Sequence, residues 1–315
     1  MACIICDGPE KDGSLRLYDD RYGYPGVFPL LECAACGHRR LNVAFSTEQL
    51  KDMYTRYYPR SMYDPEKQKP HPEKSRLRTF INPEDCYAYR WVPRNVRVLD
   101  IGCGYAETLG YHRSRGCDAY GVEVDENVRK VAEIYGYKIH MGLFDPKLYE
   151  PGSFDYVTMD QVIEHFADPV AELQGVARIL KTGGKAILCT PNSNGWGRKL
   201  YGRRWVHWHA PYHLQHFSAR SMTMAAEKAG LIVESTRTIT PPMWLHFQHN
   251  HLLAYPKMGH PSRYWVPFER KDLTSKAMAA STMLLFHWTG INHLVSRITD
   301  YIGTGDNRLF VLKKA

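Results

Sequence analysis

Cys3-x-x-Cys6 and Cys33-x-x-Cys36-Gly37 set four thiols in two short knuckles. Each C-x-x-C turn can present two thiolates to one point, and zinc takes four soft ligands in a tetrahedron. Four thiolates leave no open coordination position, so the role expected for Zn2+ on Cys3, Cys6, Cys33 and Cys36 is structural. The plain alternative is two unrelated buried pairs. A redox dithiol is the weaker reading, because neither pair stands at a strand-to-helix junction. Cys86, Cys103, Cys117 and Cys189 read as small core or loop residues.

A second constellation is Asp100-Ile101-Gly102-Cys103-Gly104, where an apolar run gives way to a helical pattern. Glycines there let the backbone approach a ligand, and the helix amides offer donors to a negative group. Glu123 ends the next apolar run, where a carboxylate can accept hydrogen bonds from both hydroxyls of a ribose. Alone, Glu123 is equally a solvated strand-end charge. Together the two features point to a nucleoside-bearing cofactor. The third glycine of the dinucleotide pattern is missing, since Tyr105-Ala106-Glu107 follows, and a mononucleoside is the other choice.

A third cluster lies in residues 203–218, which hold His207, His209, His213 and His216. Arg198, Lys199, Arg203 and Arg204 interleave there with Trp196, Tyr201 and Trp205, a composition suited to phosphate recognition and stacking on a sugar or base. A solvated basic loop is the ordinary alternative.

Short apolar runs alternate with helical patterns, which implies parallel strands and crossover helices. Residues 97–101, 119–124, 137–141, 154–159, 185–190, 231–239 and 308–312 read as strands. Helices are expected at 126–135, at 169–180 and from an N-cap at Ser218 to near Gly230. Before them, 47–58 looks helical, with Tyr54, Tyr57 and Tyr58 as a lid over the cofactor or as core. A connector punctuated by Pro59, Pro65, Pro70, Pro72 and Pro83 follows. Leu284, Trp288, Ile291, Val295, Ile298 and Ile302 trace a helix stripe, expected to pack on its own domain, with dimerisation or membrane contact as the alternative.

The chain has 315 residues, 44% hydrophobic and 23% charged, which excludes disorder and a disulfide-stapled miniprotein. Lys and Arg number 41 against 33 Asp and Glu, a formal charge of +8 that favours anionic partners without singling out nucleic acid. No export signal follows Met1, no run is apolar enough to span a membrane, and eight cysteines then suggest a reducing compartment. The expected location is the cytoplasm, with peripheral contact at the inner membrane face as a variant.

The segments 98–104, Gly121-Val122-Glu123-Val124-Asp125, Phe154-Asp155-Tyr156-Val157, Glu164-His165-Phe166-Ala167-Asp168-Pro169, Leu180-Lys181-Thr182-Gly183-Gly184 and Thr190-Pro191-Asn192 resemble, in order, the motifs of class I S-adenosylmethionine-dependent methyltransferases of the ubiquinone-type O-methyltransferase subgroup. The resemblance implies an α/β, Rossmann-like fold with a mostly parallel seven-stranded sheet. A small zinc ribbon would precede it and a helical insertion would interrupt it before the last strand. The implied division is a zinc ribbon at 1–46, a lid and linker at 47–96, a cofactor domain at 97–239 and 306–315, and an insertion at 240–305. Asp100, Gly102 and Gly104 would surround the methionine end of S-adenosyl-L-methionine, Glu123 the ribose, and Asp160 and Gln161 the methionine moiety. Phe144 and Asp145 are the candidates beside adenine. Ala106 stands where the family commonly has glycine, a change the turn should tolerate.

His213-Leu214-Gln215-His216-Phe217-Ser218 resembles a signature preceding the family's last helix, compatible with bracing a loop or with catalysis. His165, then His216, with His213 beside them, are the candidate bases. A zinc module before such a domain resembles sugar-tailoring methyltransferases, and the chain lacks the length for their C-methylating extension. The expectation is O-methylation of a saccharide or glycan precursor, phosphorylated or lipid-linked in one version. A phenolic or quinone-like acceptor is the runner-up, RNA the third choice, and a cofactor-binding scaffold the non-enzymatic rival. A homodimer is compatible with all of them.

Overall fold

In the computed structural model, residues 1–58, 64–73, 87–267 and 270–315 are described. Pro59, Pro83 and Cys86 lie outside them. Strands β1 (Glu10–Leu17), β2 (Phe28–Cys33) and β3 (Arg39–Leu41) form an antiparallel meander behind the first knuckle. Helix α1 (Thr47–Asp52) starts at a Ser46–Gln49 capping box and runs on into a π-helical turn, Met53–Tyr57.

The central sheet begins at β4 (Arg97–Ile101), followed by α2 (Glu107–Ser114), β5 (Asp118–Glu123), α3 (Val128–Tyr135) and β6 (Lys138–Met141). The second half holds β7 (Phe154–Asp160), α4 (Pro169–Ile179) and β8 (Leu180–Pro191). Asp168 caps α4 through the amides of Val170 and Ala171, and Pro169 takes the first helical position, where a missing N–H is harmless. After α5 (Trp196–Tyr201) and the short strand β9 (Gln215–His216) come α6 (Ala219–Lys228) and β10 (Leu231–Thr238). The insertion carries α7 (Met243–Leu253), α8 (Leu273–Thr282), a π-helical turn Met283–Trp288 and α9 (Ile291–Tyr301), and the chain closes on β11 (Asn307–Lys314).

The strand order is β10-β11-β8-β7-β4-β5-β6, parallel except where β11 runs antiparallel to β8 and β10. The mostly parallel seven-stranded sheet read from sequence is therefore present. Its order reverses between β4 and β7, and a crevice opens outside the carboxyl ends of strands at such a switch point. β9 does not join this sheet: Gln215 and His216 pair with Arg40 and Arg39 of β3, making a fourth strand for the meander. Among the described residues no helix is long and apolar enough to cross a membrane.

The stripe on the insertion is corrected by the structure. Leu284, Trp288, Ile291, Ile298 and Ile302 are exposed, while Ser275, Thr282, Asn292 and Ser296 of the same helices are buried. Of these, Thr282 Oγ1 accepts from Asn250 Nδ2 at 2.7 Å.

Ser218 caps α6 as its position predicts: its hydroxyl accepts from Ser221 N at 3.1 Å and donates to Cys36 O at 3.2 Å. Replacing it with alanine should cost about 1 kcal/mol. Chemical denaturation of the variant checks this, and an unshifted midpoint would remove the cap.

Candidate functional site

At the amino terminus the four Cys Sγ atoms lie within 4.8 Å of one another, with Cys3–Cys36 at 3.7 Å and Cys6–Cys33 at 3.5 Å. A zinc–sulfur bond of about 2.3 Å implies a tetrahedral edge near 3.8 Å, so the residues fit the ion. The turns are formed by the backbone: Asp7 N donates to Cys3 O and Gly37 N to Cys33 O, both at 2.9 Å.

At the switch point β4 ends in the glycine turn. Gly102 has φ +74°, where an L side chain is strained, and a Cβ there would meet Val162 Cγ2 at 2.5 Å, so Val162 would have to shift. Ala106, also at a positive φ of 64°, N-caps α2; the turn holds, although an L-residue in this region costs about 1–2 kcal/mol. Glu123 Oε2 accepts from Gly104 N at 2.9 Å, and Oε1 accepts from Val124 N at 2.8 Å and Asp125 N at 3.0 Å. Three amides thus aim the carboxylate, whose remaining lone pairs are available to a diol.

Asp100 is buried and accepts from Thr158 Oγ1 at 2.5 Å and from Thr108 Oγ1. Burial pushes its pKa up to about 6 against those two hydrogen bonds. Across the switch point Asp160 accepts from Ala88 N at 2.9 Å, and burial pushes it up to about 7. Gln161 sits at φ +57°, with Nε2 donating to Asn307 Oδ1 at 2.9 Å. Neither Thr158 nor Thr108 was singled out from sequence. Phe144 is buried in the main core and stacks on Tyr149, and Asp145 caps a short turn through Lys147 N.

The histidines of 203–218 gather beside this edge. Ring centroids of His165 and His213 are 4.7 Å apart, and those of His209 and His213 are 4.8 Å apart. Burial lowers His165 to about 4 and His216 to about 3, so both are neutral at pH 7. His216 is buried in β9, edge-on to Trp208 at 4.7 Å, with its ring centroid 6.4 Å from that of His213.

Tyr22, Tyr54, Tyr58, His209 and Tyr212 pack against one another, with Tyr22–Tyr212 at 5.4 Å and Tyr58–Tyr212 at 5.2 Å. Burial raises the Tyr58 phenol, and the Glu123 charge adds to that rise. Arg21 donates to Val206 O at 2.5 Å and lies 4.1 Å over Trp265. Arg21 and Tyr22 come from the loop between β1 and β2, and only the fold shows that they reach the histidines.

The basic residues near 200 are partly spent on aromatic faces, Arg204 over Tyr255 at 4.9 Å and Arg203 over Tyr18 at 6.0 Å. Trp205 is buried. An enclosed cavity among Trp196, His207, Trp244 and Asp306 measures about 10 Å³, room for one water at most.

A family profile described as a methyltransferase domain matches residues 56–236. The ubiquinone biosynthesis O-methyltransferase of Xanthomonas oryzae pv. oryzae (strain PXO99A) is 34% identical over 105 residues, covering 31% of this chain and 44% of that protein. The protein of the same name from Thiobacillus denitrificans is 31% identical over 117 residues, covering 33% and 50%. The chain thus spans about half the length of these curated relatives. Among solved structures, phosphoethanolamine N-methyltransferase 2 of Haemonchus contortus superposes with a TM-score of 0.47 at 19% identity, covering 71% of this chain and 49% of that one.

Proposed function

Because the chain belongs to the methyltransferase-domain family, whose profile spans more than half of it, we propose that it methylates a hydroxyl of a saccharide-class acceptor with S-adenosyl-L-methionine. The observation that carries the reading is the Glu123 carboxylate, aimed by three backbone amides at the switch point. When bound, S-adenosyl-L-methionine supplies a methyl group already activated on a sulfonium, so the protein's main work is alignment. Glu123 accepts from the ribose hydroxyls. The Gly102–Gly104 turn leaves room for the amino-acid end, and Asp100, Asp160 and Gln161 line that end. Tyr22, Tyr58 and Tyr212 stack on the acceptor and exclude water, and their hydroxyls together with His209 bond a polyhydroxylated ring. His165 is the first candidate to receive the acceptor's proton.

The division into ribbon, lid, cofactor domain and insertion belongs to the same proposal, with β9 shared between the first and third parts. Zn2+ on Cys3, Cys6, Cys33 and Cys36 is the structural ion. A phenolic acceptor is the second reading, favoured by the names of the two relatives.

Labelled methyl donor, offered with nucleotide-sugars, methyl glycosides, catechols and RNA, tests the proposal. Transfer to a sugar is the expected result, transfer to catechols alone installs the second reading, and transfer to none sinks both. Glu123→Ala should weaken S-adenosylhomocysteine binding about tenfold or more by calorimetry, the worth of a charged hydrogen bond. Unchanged affinity would remove the ribose assignment.

A further inference from the structure

We propose that the groove walled by Tyr255, Lys257, His260 and Arg263, with Arg204 on its rim, binds a phosphate or diphosphate carried by the acceptor. This inference rests on the methyl-transfer reading above and narrows its saccharide class to phosphorylated members. The groove is open to solvent and measures about 540 Å³. It lies on the insertion, just past α7, where that segment meets the loop between β1 and β2.

The walls are held from behind. Tyr18 Oη donates to Pro256 O at 2.8 Å, Ser262 N donates to Arg21 O at 2.8 Å, and Ser262 Oγ donates to Ala254 O at 2.9 Å. A loop fixed in advance loses little freedom when a ligand arrives. Gly23 packs so closely on the same loop that a Cβ there would stand 2.8 Å from Pro261 N. The residue before it is Tyr22, which the methyl-transfer reading places against the acceptor. The groove thus adjoins the acceptor side, and a phosphate borne by that acceptor has a place to lie.

The charge here is one-sided. Arg203, Arg204, Lys257 and Arg263 are exposed, and no carboxylate pairs with them among the described residues. Arg204 lies 4.9 Å over the Tyr255 ring, and Arg203 lies 6.0 Å over Tyr18, whose ring is 6.0 Å from that of Tyr255. A guanidinium stacked on a ring keeps its in-plane N–H groups free, and these meet phosphate oxygens two at a time. The neighbouring carboxylates are turned inward. Asp19 is buried and accepts from the amides of Arg21, Tyr22 and Tyr24, and Asp20 is buried with Oδ2 3.3 Å from His251 Nε2. Asp272 is held below the usual carboxylate range by Ser275 N, and the Arg263 charge adds to that, so one exposed acid faces this set of cations. Such a concave, cationic surface draws anions, and the stacked arginines select phosphate among them.

Calorimetric titration of the full-length, zinc-loaded chain with inorganic pyrophosphate tests the groove. One site per chain is expected. A double variant, Arg204→Gln with Arg263→Gln, should weaken it about tenfold or more, the worth of charge-assisted hydrogen bonds. A control that removes the same charge from exposed cations elsewhere, Arg220→Gln with Lys313→Gln, should stay within about twofold of wild type. No binding at millimolar pyrophosphate, wild-type affinity in the groove variant, or an equal loss in the control overturns the site. Uridine diphosphate and farnesyl diphosphate separate the sources: tighter binding of the first marks a nucleotide-borne phosphate, tighter binding of the second a lipid-borne one, and either supports the groove. S-adenosylhomocysteine titrated into the same samples separates the two failures. Cofactor without pyrophosphate sinks this inference alone, and pyrophosphate without cofactor sinks the methyl-transfer reading. Melting curves confirm that both double variants fold.

Discussion

Stripping zinc with a strong chelator, or replacing Cys36 with serine, is expected to lower the melting temperature by more than about 10 °C. Zinc held by four thiolates contributes on the order of 10–16 kcal/mol to folding a small module. In a chain of this size each kcal/mol lost moves the midpoint by about 2–4 °C. The loss should not stay local. Cys3, Cys33 and Cys36 are each 1% exposed, and they pack in the same core as Phe217, Met222 and the strands of the central sheet. The second knuckle also accepts the Ser218 hydroxyl through Cys36 O, and the meander is completed by β9. Freed thiols, two pairs of them 3.5–3.7 Å apart, would leave this joint without its ion. Metal analysis alongside scanning calorimetry checks the prediction. A chain without zinc that melts at the wild-type temperature would refute the structural role.

What sequence could show follows from the range of the interactions involved. The glycine turn and Glu123 are legible because neighbouring strands and helices write their periodicity locally, and both residues stand at strand ends. The Ser218 cap is legible for the same reason: it acts within three residues of itself. β9 is two residues long and pairs with a strand far away in sequence, so no local pattern announces it. Periodicity in α9 shows which residues share a face but not whether anything covers it. Ile291 and Ile298 stay exposed because the fold places Asn292 and Ser296 inward. Glu164 and His165 are adjacent, yet His213 joins them only through the bend that brings Leu214 N to Glu164 O. Tyr22 and Arg21 carry no motif, and their place beside Tyr212 and Val206 is a result of packing alone.

Trp208→Ala should be the most damaging single core change outside the cysteines, about 3–5 kcal/mol, with a fall in melting temperature of roughly 10 °C. The indole is 1% exposed and donates through Nε1 to Gly202 O at 2.8 Å. It meets Trp205 edge-on at 5.3 Å and shares a core with Leu17, Phe28 and Leu41 of the meander, Met53 of the π-helical turn and Tyr212. Three parts of the chain therefore converge on one ring, and a cavity there cannot close without moving all of them. None of the groups aimed at the cofactor touches it, so S-adenosylhomocysteine affinity measured well below the transition should stay within about twofold. Tyr22 and Tyr212 lean on this core, and the acceptor KM should rise as they loosen. Trp208→Phe fills most of the volume and should recover most of the stability, losing mainly the bond to Gly202 O. If instead Trp208→Ala abolished cofactor binding while the chain remained folded, the cofactor and acceptor sides would not be separate sites, and the placement of the acceptor against the tyrosines would fall.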